Sequence, residues 1–212
     1  MDHIIITIAR YYGSGGRAIG KDLARELGIG FYDRKILQLA SDDSGINEAL
    51  FAQADERLQG TRLFRIMRKV YDGTVIPPEN KDFLSNRNLF NYQAKVIREL
   101  AQEESCVIIG RCANFVLKDY PNVVNVFIYA SPEYCLEQAK KRGAGGGRDT
   151  EKFIEETNRY RGSYYKYYTG REWNDVLGYD LCLNSGRLGF AGTAGVIRDY
   201  IRDRFPNWNP EQ

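Results

Sequence analysis

The chain has 212 residues, of which 43% are hydrophobic and 27% charged, so it is long enough to bury a core and too apolar to be disordered. Its 30 basic and 28 acidic residues nearly balance, which argues against an extended nucleic-acid-binding surface. No apolar run has the length of a membrane span or the charged head of a signal peptide, so we expect a cytoplasmic protein without a membrane partner.

Five short apolar runs predict five β-strands. They cover residues 4–9, 30–33, 106–110, 123–130 and 179–184. The runs are continuously apolar rather than alternating, which is typical of strands that are covered on both faces. We therefore predict an α/β sandwich in which helices cover a mainly parallel sheet.

Segments of helical period separate these runs, as right-handed crossover connections require. In residues 15–27, Ile19, Leu23 and Leu27 recur at fourfold spacing, and further helices are predicted over 91–104 and 131–142. Residues 45–90 interrupt this alternation with a charged helical stretch, which we interpret as an insertion at the carboxyl edge of the sheet. A glycine-rich loop at residues 142–150 is typical of a hinge or lid. The prediction is one domain over residues 1–212.

A glycine cluster, GSGG, lies between the first predicted strand and the first predicted helix. Glycines at such a junction allow main-chain amides to turn inward, and the amino end of a helix adds partial positive charge. We therefore predict an anion-binding nest. The alternative is a tight turn that only connects strand to helix. The residues assigned to the nest are Gly13, Ser14, Gly15, Gly16 and Arg17.

The usual lysine of a phosphate-binding loop is absent from this cluster. Gly15, Gly20 and Lys21 formally match G-x-x-x-x-G-K, but Lys21 would lie inside the helix, so we reject that register. The alternative register begins after Arg10 and places Gly16 or Arg17 at the lysine position. We predict that Arg17 takes over the role of the lysine.

Two further residues lie where strands end. Arg111 directly follows the third apolar run, and ligands of open α/β sheets bind at the carboxyl ends of the strands. We predict that it clamps a phosphate, the alternative being a salt bridge at a strand end. Asp33 ends the second run, and it either binds a sugar, a base or a magnesium-bound water, or caps the following helix.

Several arginines surround the glycine-rich loop, so closure of that loop could bring guanidinium groups onto a phosphate and exclude water. We assign Arg161 a catalytic role and Arg142 and Arg148 a role in the lid, whereas Arg159 is a weaker candidate. We identify no metal ligand in the sequence.

The aromatic residues Tyr160, Tyr164 and Tyr168 recur at helical spacing. One aromatic helix face is more typical of packing, against the sheet or a second subunit, than of base stacking. A homodimer is therefore compatible with the sequence. The four cysteines form no C-x-x-C pair, and we expect Cys106 and Cys182 to be buried in strands as reduced thiols.

Three long stretches resemble the cytidylate kinase-like family, a divergent branch of the nucleoside monophosphate kinases with the P-loop fold. They are "ITIARYYGSGGRAIGKDLARELGIGFYDRKIL", "VIRELAQEESCVIIGRCANFVLKDYPNVVNVFIYAS" and "RYRGSYYKYYTGREW" followed by "YDLCLNSGRLG". The resemblance implies a five-stranded parallel sheet, with 45–90 as the monophosphate-binding subdomain and 142–161 as the lid. It also implies phosphoryl transfer from ATP with magnesium to a nucleoside monophosphate such as CMP.

The chain departs from authentic cytidylate kinases at several motif positions. The loop lysine position holds Gly16, the following hydroxyl position holds Ala18, and Cys112 and Asn158 stand where acids are expected. These departures leave two hypotheses for function. The protein is either a kinase acting on a nucleoside monophosphate or related phosphorylated small molecule, or a catalytically inactive nucleotide-binding protein with a regulatory or interaction role.

Overall fold

The computed structural model of the protein describes residues 3–57, 73–147 and 149–209. Within these ranges the chain forms one five-stranded, wholly parallel sheet with the strand order β2-β3-β1-β4-β5. The strands are β1 (Ile5–Arg10), β2 (Gly30–Tyr32), β3 (Cys106–Ile109), β4 (Val123–Tyr129) and β5 (Leu181–Asn184). All five predicted strands are confirmed, with boundaries shifted by one or two residues.

Helices cover both faces of the sheet, as the continuous apolarity of the strands predicts. They are α1 (Gly16–Leu27), α2 (Lys35–Ser44), α3 (Glu48–Arg57), α4 (Asn86–Glu103), α5 (Ala113–Val116), α6 (Pro132–Lys141), α7 (Thr150–Thr169) and α8 (Ser185–Arg204), with a short 3-10 turn at Val176–Gly178. At α6, Ser131 caps the first turn by accepting from the amide of Tyr134, and Pro132 begins the helix.

Two apolar clusters, one on each side of the sheet, form the core. On one side Ile6 and Ile8 pack with α1 and α8. On the other side Ile5 and Ile108 pack with α2, α4 and α7. Because both faces are covered, the three-layer α/β prediction is confirmed.

The aromatic face of α7 packs inside the protein, but against a helix rather than the sheet. Tyr164 and Tyr168 are buried, and the ring of Tyr168 stacks on Phe90 of α4 with centroids 4.0 Å apart. Cys182 corrects a second expectation. It lies in β5, an edge strand, and is exposed, whereas Cys106 is fully buried as predicted.

The predicted insertion and lid are only partly described. Of residues 45–90, the structure places α3, the segment from residue 73 and the start of α4. Of residues 142–161, it places a turn containing Gly145 and Gly147 and the first half of α7, while Arg148 lies outside the described residues. Among the described residues, no helix is long and apolar enough to cross a membrane.

Candidate active site

A cavity of about 740 Å³ opens at the carboxyl ends of β1 and β3. This is the edge at which open parallel sheets bind their ligands. The wall of the cavity also receives residues from α1, α2, α3, α5 and α7, so the cavity lies between the sheet and these helices.

Five arginines line this cavity, against two carboxylates, Asp33 and Glu48. The arginines are Arg10, Arg17, Arg34, Arg111 and Arg161. The whole chain carries a net charge of only +2, so this cluster concentrates positive charge that the rest of the surface balances. A cavity with such an excess of guanidinium groups suits a ligand with several negative charges.

Arg111 is held in place by an unusual backbone. Gly110, Arg111 and Cys112 are three successive residues with left-handed conformation, with φ of 73°, 59° and 55°. For residues with a side chain this conformation costs about 1–2 kcal/mol each, and such strain is typical of functional sites. The guanidinium group of Arg111 donates to the buried Gln93 at 3.5 Å.

Arg161 reaches the cavity from α7. Its Nη1 donates to the carbonyl oxygen of Arg10 at 2.9 Å, and its guanidinium lies 5.6 Å from the ring centre of Tyr12. Burial lowers the pKa of Arg161 to about 10, which leaves the group charged at neutral pH. The contact joins α7 to the end of β1.

Asp33 and Arg17 form an ion pair at the rim of the cavity. Arg17 Nε donates to Asp33 at 2.6 Å, and the Arg17 side chain is 63% exposed. Asp33 also accepts from the amide of Arg34 at the start of α2. Burial would raise the pKa of Asp33, but the hydrogen bonds from Arg17 and from the Arg34 amide outweigh it and lower the pKa. Both alternatives for Asp33, site residue and helix cap, are therefore compatible with its position.

The glycine loop lies outside the cavity wall. Gly13 and Gly15 adopt positive φ, and Ser14, Gly15 and Gly16 are buried. The ring of Phe190, from α8, covers Gly15, where a methyl group would lie 2.3 Å from the ring. Gly15 is the N-cap residue immediately before α1 and provides no side-chain cap. In the described part of the chain, the amides of Gly16 and Arg17 donate to no acceptor.

The structure therefore brings together four of the predicted site residues, namely Arg17, Asp33, Arg111 and Arg161. Gly13, Ser14, Gly15, Gly16 and Arg142 do not line the cavity, and Arg148 lies outside the described residues. Arg142 lies at the end of α6 with its guanidinium 5.8 Å from the Phe190 ring centre, and Arg159 is exposed on α7.

Sequence reasoning missed Arg10 and Arg34 as parts of the cavity wall. Arg10 ends β1 at the carboxyl edge of the sheet, and Arg34 follows Asp33. The signal for Arg10 was available, because its position after a buried strand is the same one that pointed to Arg111.

Among the described residues, no three histidine, cysteine or acidic side chains come together in one cluster. Asp33 is engaged by Arg17, and Ser14 Oγ lies at hydrogen-bond distance from the carbonyls of Tyr11 and Ile128. The charged side chains at this edge of the sheet are mainly arginines, which do not bind metal ions. No catalytic step is therefore attributed to a metal ion held by the protein itself.

A family model described as the cytidylate kinase-like family matches residues 5–187. The chain belongs to the cytidylate kinase-like family. The match spans β1 to the start of α8, and so includes the whole cavity wall and the glycine loop of this family member. No curated protein matches the chain.

Two solved structures are similar in fold to this cytidylate kinase-like protein. An uncharacterized protein from Eubacterium ventriosum is 26% identical with a TM-score of 0.66, over 94% of this chain and 98% of that chain. Shikimate kinase from Bacteroides thetaiotaomicron is 13% identical with a TM-score of 0.54, again over 94% and 98%. At that identity the second likeness shows the fold alone. The protein thus has a kinase family membership and a P-loop kinase fold.

Proposed function

We propose that the protein is a phosphotransferase that moves the γ-phosphoryl group of ATP to a nucleoside monophosphate, such as CMP, or to a related phosphorylated small molecule. The observation that carries this proposal is the convergence of five arginines on one cavity at the carboxyl edge of a kinase fold. Phosphoryl transfer asks a protein mainly to position anionic groups and to stabilise the charge on the moving phosphoryl group.

The acceptor phosphate would be held by Arg111 and Arg161, which line the cavity from the loop after β3 and from α7. Guanidinium groups suit this role because they present several donors in a fixed plane. The uncharged part of the acceptor would contact the apolar side of the wall, where Leu37, Tyr164 and Trp173 lie.

The donor phosphates would lie between the free amides at the start of α1 and the arginines of the cavity. Gly16 and Arg17 provide these amides, and Arg17 also extends to the cavity rim. Magnesium would enter bound to ATP, as part of that substrate. Residues 142–161 would act as the lid, and residues 45–90 as the part that encloses the acceptor.

A second candidate function is nucleotide binding without catalysis. It is favoured by the glycine loop, where Gly16 replaces the lysine and the buried loop is covered by Phe190 rather than facing the cavity. In this case the arginine cavity would hold a phosphorylated ligand as a sensor or in a complex with a partner.

Turnover with a panel of acceptors separates these functions. ATP consumption would be measured with CMP, dCMP, UMP, AMP and GMP, and binding of each nucleotide by calorimetry. Arg111→Met removes a cavity arginine, and Arg202→Met removes an exposed arginine of α8, outside the cavity wall and the lid, as a matched control.

Under the kinase proposal, one monophosphate stimulates ATP consumption, and only the Arg111 variant loses that activity. Binding of ATP and a monophosphate without turnover would instead support the non-catalytic function. If neither ATP nor any monophosphate binds the wild-type protein, both candidate functions are wrong.

A further inference from the structure

The side chain of Arg10 runs through a space that two glycines leave open. A methyl group on Gly16 would lie 2.7 Å from Arg10 Cβ and 3.0 Å from Cγ. A methyl group on Gly110 would lie 2.5 Å from Arg10 Nη1. Real Cβ atoms do not approach other atoms this closely, so the position of Arg10 Cβ depends on glycine at position 16, whereas a side chain at position 110 would shift only the end of the arginine.

The Arg10 guanidinium has no counter-ion within hydrogen-bond distance among the described residues. No ion pair or side-chain hydrogen bond of this group is found there, although Arg17, which also lines the cavity, is paired with Asp33. Burial lowers the pKa of Arg10, the nearby charges of Arg161 and Arg111 lower it further, and the carboxylate of Asp33 offsets only part of this effect. A charged group without a partner among like charges is unfavourable, and an anionic ligand would relieve this cost.

We propose that Arg10 is the phosphate-binding cation of this loop, in place of the lysine that is absent at Gly16. The proposal deepens the proposed function and rests on it. Gly16 is then a steric requirement of the site, because a side chain there would collide with Cβ of Arg10 and force the end of β1 and the start of α1 apart. A lysine at position 16 therefore does not fit beside Arg10 in this backbone.

The first test removes the Arg10 cation. Arg10→Met keeps most of the aliphatic length of the side chain, and Arg202→Met is the matched control on the exposed surface of α8. Affinities for ATP and inorganic pyrophosphate would be measured by calorimetry, and folding by circular dichroism. We expect the Arg10 variant to bind about ten- to a hundredfold more weakly, as for the loss of a charge-assisted hydrogen bond.

The second test displaces the arginine without deleting it. Gly16→Ala would collide with Cβ of Arg10 and so shift the end of β1, with its arginine, away from α1, and Gly195→Ala is a matched helical control in which the added methyl would lie 3.7 Å from its nearest neighbour. We expect the Gly16 variant alone to lose affinity for both phosphate ligands. The double variant Arg10→Gly/Gly16→Lys removes the steric conflict and should recover affinity relative to Gly16→Lys alone.

The outcomes separate this inference from the function on which it rests. If wild type binds ATP or pyrophosphate and folded Arg10→Met binds equally well, the inference is wrong and the kinase proposal stands. If binding depends on Arg10 but no acceptor is phosphorylated, the inference stands and the kinase proposal is wrong. Absence of any binding by the wild-type protein would overturn both.

Discussion

At the scale of single residues, the backbone at the end of β3 is the strongest local sign of function. Arg111 and Cys112 both have positive φ, which residues with a side chain rarely adopt. If these positions served only to end the strand, we would expect glycine there, as at Gly110, because glycine adopts positive φ without strain. The chain instead accepts the strain, and the result is that the Arg111 side chain lines the cavity beside β1.

The ion pair between Arg17 and Asp33 predicts a pH-dependent contribution to stability. The pKa of Asp33 is lowered in the folded protein, so its contribution is complete above the pKa of an unfolded aspartate, about 3.9, and is lost as pH falls through the folded value. For Asp33→Asn we expect a loss of about 0.5–1 kcal/mol at pH 7, small because Arg17 is largely exposed, and a smaller loss in acid.

Urea unfolding of wild type and Asp33→Asn at neutral and acid pH measures this difference. Asparagine caps a helix about as well as aspartate, so the substitution tests the charge rather than the cap. Asp22→Asn is the control, because the pair of Asp22 with Arg25 lies on the exposed surface of α1. A loss of stability in Asp33→Asn that stays constant down to pH 2 would contradict the assignment.

At the scale of whole elements, the strands and their helices could be predicted because burial leaves a pattern in the sequence. β1 is buried on both faces, and its continuous run of isoleucines shows this directly. Strand ends then pointed to Arg111 and Asp33 as wall residues of the cavity. These predictions of strands and of residues at strand ends need only the identities of residues that are adjacent in the sequence.

The parts that could not be predicted depend on contacts between distant segments. The ring of Phe190 covers Gly15, and the path of Arg10 depends on Gly110, one hundred residues further along the chain. A glycine cluster between a strand and a helix therefore predicts an available nest, but not which side chains lie over it. For the same reason the sequence predicts an aromatic packing face on α7 but not its partner: the expected partner is the sheet or a second subunit, whereas Tyr168 stacks on Phe90 of α4.

The stacking between α7 and α4 predicts a graded loss of stability. The Tyr168 hydroxyl donates to the carbonyl of Asn86 at 3.1 Å, and its ring lies nearly parallel to Phe90. Tyr168→Phe should cost about 1 kcal/mol through the lost hydrogen bond. Tyr168→Ala should cost about 3–5 kcal/mol because it also removes a buried ring. Chemical denaturation of the two variants measures both, and equal losses would show that the ring contact contributes nothing.

At the scale of the whole molecule, the balance of charge is the informative quantity. The chain is nearly neutral, yet five arginines share one cavity with two carboxylates. Most exposed ion pairs lie elsewhere on the surface, as between α1 and α8, where Arg198 pairs with Glu26. The fold therefore holds like charges together at one place, which lowers its stability and creates a site for an anion.

This arrangement predicts that Arg10→Met has opposite effects with and without a ligand. Without an anion, the variant should be as stable as wild type or more stable, because a charge repelled by Arg161 and Arg111 is gone. With pyrophosphate, wild type should gain stability by mass action, about 2.7 kcal/mol at one hundred times the dissociation constant, and the variant less at the same concentration. Thermal unfolding across a pyrophosphate titration measures both effects. If the ligand-free variant were less stable than wild type by more than about 1 kcal/mol, Arg10 would be a structural residue. Substitutions of surface residues without a structural role usually change stability by no more than about 0.5 kcal/mol.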